Sequence, residues 1–122
     1  MLTADNLMTR SPVAIDATSP LSKAVDLLAS LDVRHLPVVD TDGALVGIVS
    51  DRDLRGQSKL DAAAASIMNR PVLCALPDTD LATIIELMVR YKIGAVPIVD
   101  RERTLVGIVS YIDVLRALAY AA

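Results

Sequence analysis

Two serine–aspartate pairs are the residues whose types and spacing best fit a chemical role. Ser50 ends the apolar run Leu-Val-Gly-Ile-Val-Ser and Asp53 follows it, and the same arrangement recurs at Ser110 and Asp113. The apolar run predicts a strand buried on both faces, and the serine then begins a helix. Unpaired N–H groups and a partial positive charge at a helix start favour phosphate. The aspartate offers two oxygens that can accept both hydroxyls of a ribose.

The same residues also have a purely structural interpretation. Ser-x-x-Asp at a helix start resembles a capping box with aspartate in place of glutamate. Each such cap contributes about 1 kcal/mol, so capping alone explains both residues. Two complete copies favour a ligand role, although descent from one duplicated ancestor would also preserve both.

Both motifs belong to an internal duplication with an offset of 60 residues in a chain of 122. Ten of the 22 residues at 33–54 are identical to their counterparts at 93–114. We place the first repeat at 1–57 and the second at 58–122. A repeat of this size buries little surface by itself, so we expect the two to share one compact module. Gly47 and Gly107 are expected to let another backbone segment approach closely.

Each repeat predicts the order β-α-β-β-α, an α/β sandwich of sheet and helices. We expect Ser19 to cap the first long helix, with Pro20 at its first helical position. Pro37 belongs at a strand start or a sheet edge because it cannot donate to a ladder. The predicted strands are 12–15, 36–39, 45–49, 71–74, 96–99 and 105–109. The predicted helices are 20–31, 51–55, 61–67, 80–91 and 110–120, and residues 4–9 are a short lead-in with room for one helical turn ending at Met8.

Two of these helices are too apolar for a single contact. Both 20–31 and 80–91 are apolar over a wide arc, which indicates an oligomer interface as well as a core. We therefore expect a homodimer.

Composition excludes several classes of function. The net charge of −3 gives no footprint for nucleic acid or an anionic membrane. We find no secretory signal and no apolar run long enough to span a bilayer, so we expect a cytoplasmic protein. His35 and Cys74 are the single histidine and cysteine, so we expect no metal site. Asp51 and Asp53 do not face one another on a helix, and no other catalytic arrangement is visible.

With these residues described, the chain resembles a tandem pair of CBS domains, the module named after cystathionine β-synthase. The resemblance covers about residues 5–120 and rests on 33–40 and 47–54, then on 94–100, 107–110 and Asp113. It implies a pseudo-twofold pair of repeats with two clefts, and pairs that commonly dimerise. In many members the clefts bind AMP, ADP, ATP or S-adenosylmethionine, and sometimes NAD or cyclic dinucleotides. The module is usually fused to an enzyme or transporter that it regulates, whereas here we expect it to stand alone.

The resemblance also implies that each cleft joins one motif to strands of the other repeat. One cleft would contain Ile108, Ser110, Asp113, Pro12, Val13, Val33, Arg34 and His35. The other would contain Ile48, Ser50, Arg52, Asp53, Pro71, Val72, Ile93, Gly94 and Ala95. Arg34 and His35 suit a phosphate chain, so we expect the Asp113 cleft to bind nucleotides better.

Two hypotheses of function follow. In the first, the protein is a non-catalytic sensor that binds an adenosine-containing ligand and signals to a regulated protein partner. In the second, it is a structural or protein-interaction module that has kept the fold without a ligand. An enzyme is the weakest alternative.

Overall fold

A computed structural model describes residues 1–70 and 73–120 and divides the chain into two compact units. The first-repeat unit begins at Val13 and contains the first motif. The second-repeat unit combines Met1–Pro12 with the chain from Leu73 onward. The first twelve residues therefore pack with the second repeat, so packing and sequence repetition divide the chain at different points. The α/β class predicted from the sequence is confirmed.

A three-stranded sheet forms the centre of the first-repeat unit. Its strands are β2 (Ile15–Asp16), β3 (His35–Val39) and β4 (Leu45–Ser50), in the order β2-β3-β4. β2 runs parallel to β3, and β3 is antiparallel to β4. The helices are α2 (Leu21–Leu31) and α3 (Asp51–Leu54), and a 3₁₀ turn covers Ala64–Ser66.

The second-repeat unit also has a three-stranded sheet. Its additional strand pairs with the second strand of the hairpin, whereas in the first-repeat unit the additional strand pairs with the first. β1 (Thr9–Arg10) pairs with β6 (Leu105–Ser110), which pairs with β5 (Ala95–Val99), and both pairings are antiparallel. The helices are α1 (Ala4–Leu7), α4 (Leu81–Tyr91) and α5 (Tyr111–Tyr120). Strand β1 comes from the residues that precede the first repeat's strands.

The β4 strand is buried on one face only, so the prediction of burial on both faces was wrong. Leu45 and Val49 are buried, whereas Val46 and Ile48 keep partial exposure. Val49 packs with Ala24 and Leu28 of α2 in the core of the first-repeat unit, which is made by Ile15, Ala24, Leu28, Leu36, Val38, Val49 and Ala64. Alternating burial of this kind is the ordinary pattern of an antiparallel strand with one partly exposed face.

Two predictions that meet at the start of α2 were wrong: the Ser19 cap and the helix over 61–67. Pro20, rather than Ser19, is the N-cap, and no side chain caps the helix. Instead the N–H of Leu21 donates to the carbonyl of Ala62 at 2.9 Å, and Ala64 donates to Ser19 at 2.7 Å. The alanine-rich segment must stay extended to make these bonds. It therefore forms only the short 3₁₀ turn in place of the predicted helix over 61–67.

Two predicted strands are shorter than expected. The strand predicted at 12–15 begins only at Ile15, where pairing with β3 starts. Of the strand predicted at 71–74, Pro71 and Val72 lie outside the described residues, Leu73 and Cys74 are not in a strand, and Ala75 makes one isolated bridge to Ile98. Pro37 lies in the middle of β3 rather than at its start. The pairing of β2 with β3 covers only Val38 and Val39, so Pro37 has no β2 residue opposite it.

Candidate functional site

Each serine–aspartate motif lies where a strand passes directly into a helix. Ser50 is the N-cap of α3, and its N–H donates to Asp53 Oδ2 at 2.8 Å. The N–H of Asp53 donates back to Ser50 Oγ at 3.1 Å. Ser110 and Asp113 repeat this pair of bonds at 2.8 and 3.3 Å. The capping box is thus confirmed at both motifs.

Asp113 lines a cavity of about 550 Å³ inside the second-repeat unit. The cavity lies between α1 and α5 and is lined by Leu2, Asn6, Leu7, Asp113, Arg116, Ala117 and Tyr120. This volume lies within the range of small-molecule sites, which are mostly apolar with a few polar groups. The lining carries one carboxylate, one guanidinium, one amide and the phenol of Tyr120, and its remaining side chains are apolar.

The hydrogen bonds of Asp113 leave part of its carboxylate available. Oδ2 accepts from the N–H of Ser110 and from its hydroxyl, the latter at 3.0 Å. Among the described residues, Oδ1 accepts no hydrogen bond from a side chain. A carboxylate has about four acceptor positions, so Asp113 retains capacity for donors from a ligand.

Asp53 has a partner that Asp113 lacks in the described part of the chain. Asn69 Nδ2 donates to Asp53 Oδ2 at 2.9 Å. The main chain of Asn69 is itself held to β4, because its N–H donates to the carbonyl of Ile48 at 2.9 Å. In the second-repeat unit Thr9 takes the same place, opposite Ile108. The two motifs, identical in sequence, therefore differ in what surrounds their carboxylates.

Charged side chains next to the Ser50 motif are already paired. Asp51 contacts Arg34 at 3.6 Å and Arg55 at 3.1 Å, with all three side chains substantially exposed. His35 lies opposite Ser50 in the β3–β4 ladder. Burial lowers the pKa of His35, while the nearby Asp53 charge acts to raise that pKa and Arg34 to lower it. The lowered pKa favours the neutral imidazole of His35, so the guanidinium of Arg34 is the permanent positive charge beside Asp51.

Each unit brings its motif together with a stretch of its own repeat. In the first-repeat unit His35 lies opposite Ser50, and the N–H of Asp51 donates to the carbonyl of Arg34 at 2.8 Å. In the second-repeat unit Ala95 lies opposite Ser110, the N–H of Tyr111 donates to Gly94 at 3.0 Å, and Ile93 packs on the core. Pro12 belongs to the second-repeat unit and Val13 to the other. The assignment of each motif to strands of the opposite repeat stays a prediction.

Three polar residues near the motifs were missed by sequence reasoning. Asn6 and Arg116 share the cavity with Asp113, and Asn69 binds Asp53. Arg116 could have been found, because a residue three positions after Asp113 lies on the same helical face. Asn6 and Asn69 lie far from the motifs in sequence, and no local pattern connects them.

A methionine side chain, rather than another backbone, covers each motif glycine most closely. A methyl group built on Gly47 would come within 2.7 Å of Met68 Cγ, and one on Gly107 within 2.8 Å of Met8 Cγ. Met8 and Met68 are themselves counterparts at the repeat offset of 60. The nearest atoms belong to methionine side chains, and at Gly107 the backbone of β1 also lies alongside, with Arg10 opposite the glycine.

The family model described as "CBS domain" matches residues 4–59 and 64–120, nearly the whole chain. The chain belongs to the CBS domain family. Two CBS domains are thus present in tandem, as the internal duplication predicted.

Solved structures of similar chains include complexes with adenosine compounds. CBSX2 in complex with AMP has a TM-score of 0.91 at 26% identity, over 99% of this chain and 98% of that one. The CBS domain pair of protein MJ0100, in complex with 5′-methylthioadenosine and S-adenosyl-L-methionine, has a TM-score of 0.92 at 29% identity. That match covers 100% of this chain and 99% of the other.

The curated relatives include much longer enzymes. Inosine-5′-monophosphate dehydrogenase of Methanocaldococcus jannaschii is 28% identical over 96% of this chain and 24% of its own length. Homoserine O-acetyltransferase of Methanococcoides burtonii is 32% identical over 93% of this chain and 23% of its own. The chain therefore spans about a quarter of the curated relatives that it matches.

Two further observations concern the described residues 1–70 and 73–120. In that part of the chain no three histidine, cysteine, aspartate or glutamate side chains are grouped so that they could hold a metal ion. Nor does any of its helices have the length and apolar character needed to cross a membrane.

Proposed function

We propose that this CBS domain pair is a non-catalytic regulatory module that binds an adenosine-containing ligand at Asp113. The observation that carries the proposal is the cavity of about 550 Å³ beside the capping box of α5. The ribose hydroxyls donate to the Asp113 carboxylate, and the apolar lining contacts the base. Arg116 and the start of α5 supply positive charge for a phosphate.

The comparisons support the ligand class without selecting the ligand. Similar structures hold AMP, S-adenosyl-L-methionine and 5′-methylthioadenosine, all of which contain adenosine. A ribose with both hydroxyls suits a carboxylate that has spare acceptor positions. AMP, ADP, ATP and S-adenosylmethionine are therefore the first ligands to test.

The second cleft and the cross-repeat contacts belong to the same proposal. We propose that residues of both repeats contact the ligand, as the family resemblance implies. At the Asp113 site these are Pro12, Val13, Val33, Arg34, His35 and Ile108. The corresponding residues of the second cleft are Ile48, Arg52, Pro71, Val72, Ile93, Gly94 and Ala95, and we expect that cleft to bind nucleotides less well. Binding energy that differs between two arrangements of the module would shift their populations and so inform a regulated protein partner in the cytoplasm.

Thermal unfolding with and without each nucleotide tests the proposal. A ligand at 100 times its dissociation constant adds about 2.7 kcal/mol to the free energy of unfolding and raises the midpoint. Asp113→Ala should remove this shift, and Arg116→Ala should reduce it for ligands that carry a phosphate. Asp53→Ala is the matched control and should keep the shift. If no nucleotide moves the wild-type midpoint, the alternative applies, a structural or protein-interaction module in which the motif only caps a helix.

The interface on the helices at 20–31 and 80–91 stays a prediction. We further propose that a second copy of the chain docks on the outer face of α5. Ile112, Leu115 and Leu118 follow one another at helical spacing and are 44%, 56% and 49% exposed. At the offset of 60 the first repeat has Arg52 and Arg55 in place of Ile112 and Leu115. An apolar face packed against these arginines would remove water from charged side chains without supplying polar partners, so we expect the α5 faces of two copies to pack against each other.

Light scattering on a sizing column tests the dimer. Leu115→Arg introduces the residue that the first repeat already carries and should convert a dimer to a monomer. Arg55→Leu is the reciprocal control and should leave the dimer intact. A monomeric wild type, or a dimer that tolerates Leu115→Arg, contradicts the assignment of this face.

A further inference from the structure

We infer that Asn69 closes the Asp53 carboxylate to ligands, so that the two motifs, identical in sequence, give one nucleotide site per chain. The inference rests on the proposed function and adds its stoichiometry. Its observation is the bond of 2.9 Å from Asn69 Nδ2 to Asp53 Oδ2, which has no counterpart at Asp113 in the described residues.

The amide of Asn69 takes a role that a ligand hydroxyl would have. A ribose hydroxyl binds the aspartate by donating a hydrogen bond, and the amide N–H donates to the same group. With the N–H of Ser50 also on Oδ2, that oxygen already has two donors. A ribose whose two hydroxyls use both carboxylate oxygens must therefore displace a bond to a charged group, which is stronger than a bond between neutral groups.

The corresponding donor at Asp113 is easier to displace. There the second bond to Oδ2 comes from the Ser110 hydroxyl at 3.0 Å, longer than the usual O–H···O distance. A hydroxyl hydrogen turns about its C–O bond and can point to a ligand instead. Asn69, by contrast, is held in place by its own main-chain bond to Ile48 at 2.9 Å.

The internal duplication supplies the substitution that tests the idea. Asn69 and Thr9 occupy equivalent positions, each opposite the isoleucine that precedes its motif. Threonine keeps the backbone bridge but lacks the amide that reaches Asp53. Asn69→Thr should thus open the first motif, and Thr9→Asn should close the second.

Isothermal titration with AMP gives the number of sites per chain. We expect one site in the wild type, two in Asn69→Thr, and at least tenfold weaker binding in Thr9→Asn. Adding Asp53→Ala to Asn69→Thr should return the count to one. Asn69→Ala is a second opening variant that does not depend on threonine fitting the position, and the urea midpoint of each variant verifies its fold.

The outcomes separate this inference from the function on which it rests. One site in the wild type and still one in both Asn69→Thr and Asn69→Ala overturns the role of Asn69 and leaves the proposed function standing. Two sites of equal affinity in the wild type also overturn it. Absence of binding in the wild type and in every variant overturns the proposed function and the inference together.

Discussion

Replacing Gly47 by alanine should destabilise the protein through a single contact. The added methyl group would lie 2.7 Å from Cγ and 2.9 Å from Cβ of Met68, and its sulfur is also too close. The sulfur could swing away, but Cβ is fixed to a backbone held by two hydrogen bonds. Met68 donates to the carbonyl of Ala64 at 3.0 Å, and the next residue, Asn69, donates to Ile48 at 2.9 Å. Relief of the clash therefore requires a shift of the main chain.

The magnitude follows from two opposing effects. Overpacking of this kind costs about 1–3 kcal/mol. Alanine also restricts the unfolded chain, which returns about 0.4–1 kcal/mol where the native backbone tolerates it. We therefore expect a net loss of about 1–2 kcal/mol in the free energy of unfolding. With a urea m-value of about 1–3 kcal/mol per molar, the midpoint should fall by roughly 0.3–2 M.

A double-mutant cycle with Met68→Gly isolates the contact. Met68→Gly removes the obstructing Cβ together with the rest of the side chain, so the double variant should be more stable than the sum of the single losses predicts. We expect a coupling of at least about 0.5 kcal/mol, the range seen for residues in contact. The twin pair Gly107 and Met8 should behave alike, because a methyl group on Gly107 meets Met8 in the same way. A neutral Gly47→Ala, or strict additivity, would refute the reasoning.

Three further predictions concern caps and pH. Ser50→Ala should lower the free energy of unfolding by about 1 kcal/mol in urea titrations, because the helix cap is lost. Ser50→Asp should keep most of the stabilisation by the cap, since aspartate also caps a helix start. Lys92→Gly should raise the free energy of unfolding by about 1 kcal/mol. Lys92 ends α4 in the left-handed region (φ 54°), where glycine has no side-chain penalty. An unchanged or lower urea midpoint would contradict this prediction. His35 has a pKa lowered by burial, so its contribution to stability is present above its unfolded pKa of about 6.5 and is lost as the pH falls through the lower folded value. Unfolding midpoints measured between pH 7.5 and 5 should show this loss in the wild type and a smaller one in His35→Gln.

Local patterns predicted most of the fold because they follow from spacing within one element. The helix that ends at Leu31, the helix that ends at Tyr91 and both capping boxes are visible in the sequence as periodic apolar residues and cap residues. The errors occurred where a distant segment decides the structure. Ala62 caps α2 from 41 residues away, and this bond also keeps the alanine run extended. No propensity within either segment reveals that pairing.

In the candidate site, too, the local features could be predicted and the features that depend on distant segments could not. Ser110 and Asp113 could be predicted because a strand passes into a helix at a serine, and that geometry is local. The cavity could not, since Leu2 and Asn6 reach it from the opposite end of the chain. The difference between the two carboxylates was also hidden, because it depends on Asn69, sixteen residues after Asp53.

The packing of the first twelve residues with the second repeat has a consequence for the order of folding during synthesis. Strand β1 has its pairing partner at Leu105–Ser110, almost 100 residues later. At a synthesis rate of about 5–20 residues per second, those twelve residues wait roughly 5–20 s for a partner. The first-repeat unit, in contrast, has all its strands within residues 15–50 and can close while the rest is still being made. The first-repeat unit can thus fold first, and β1 finds its pairing partner only after β6 has been synthesised.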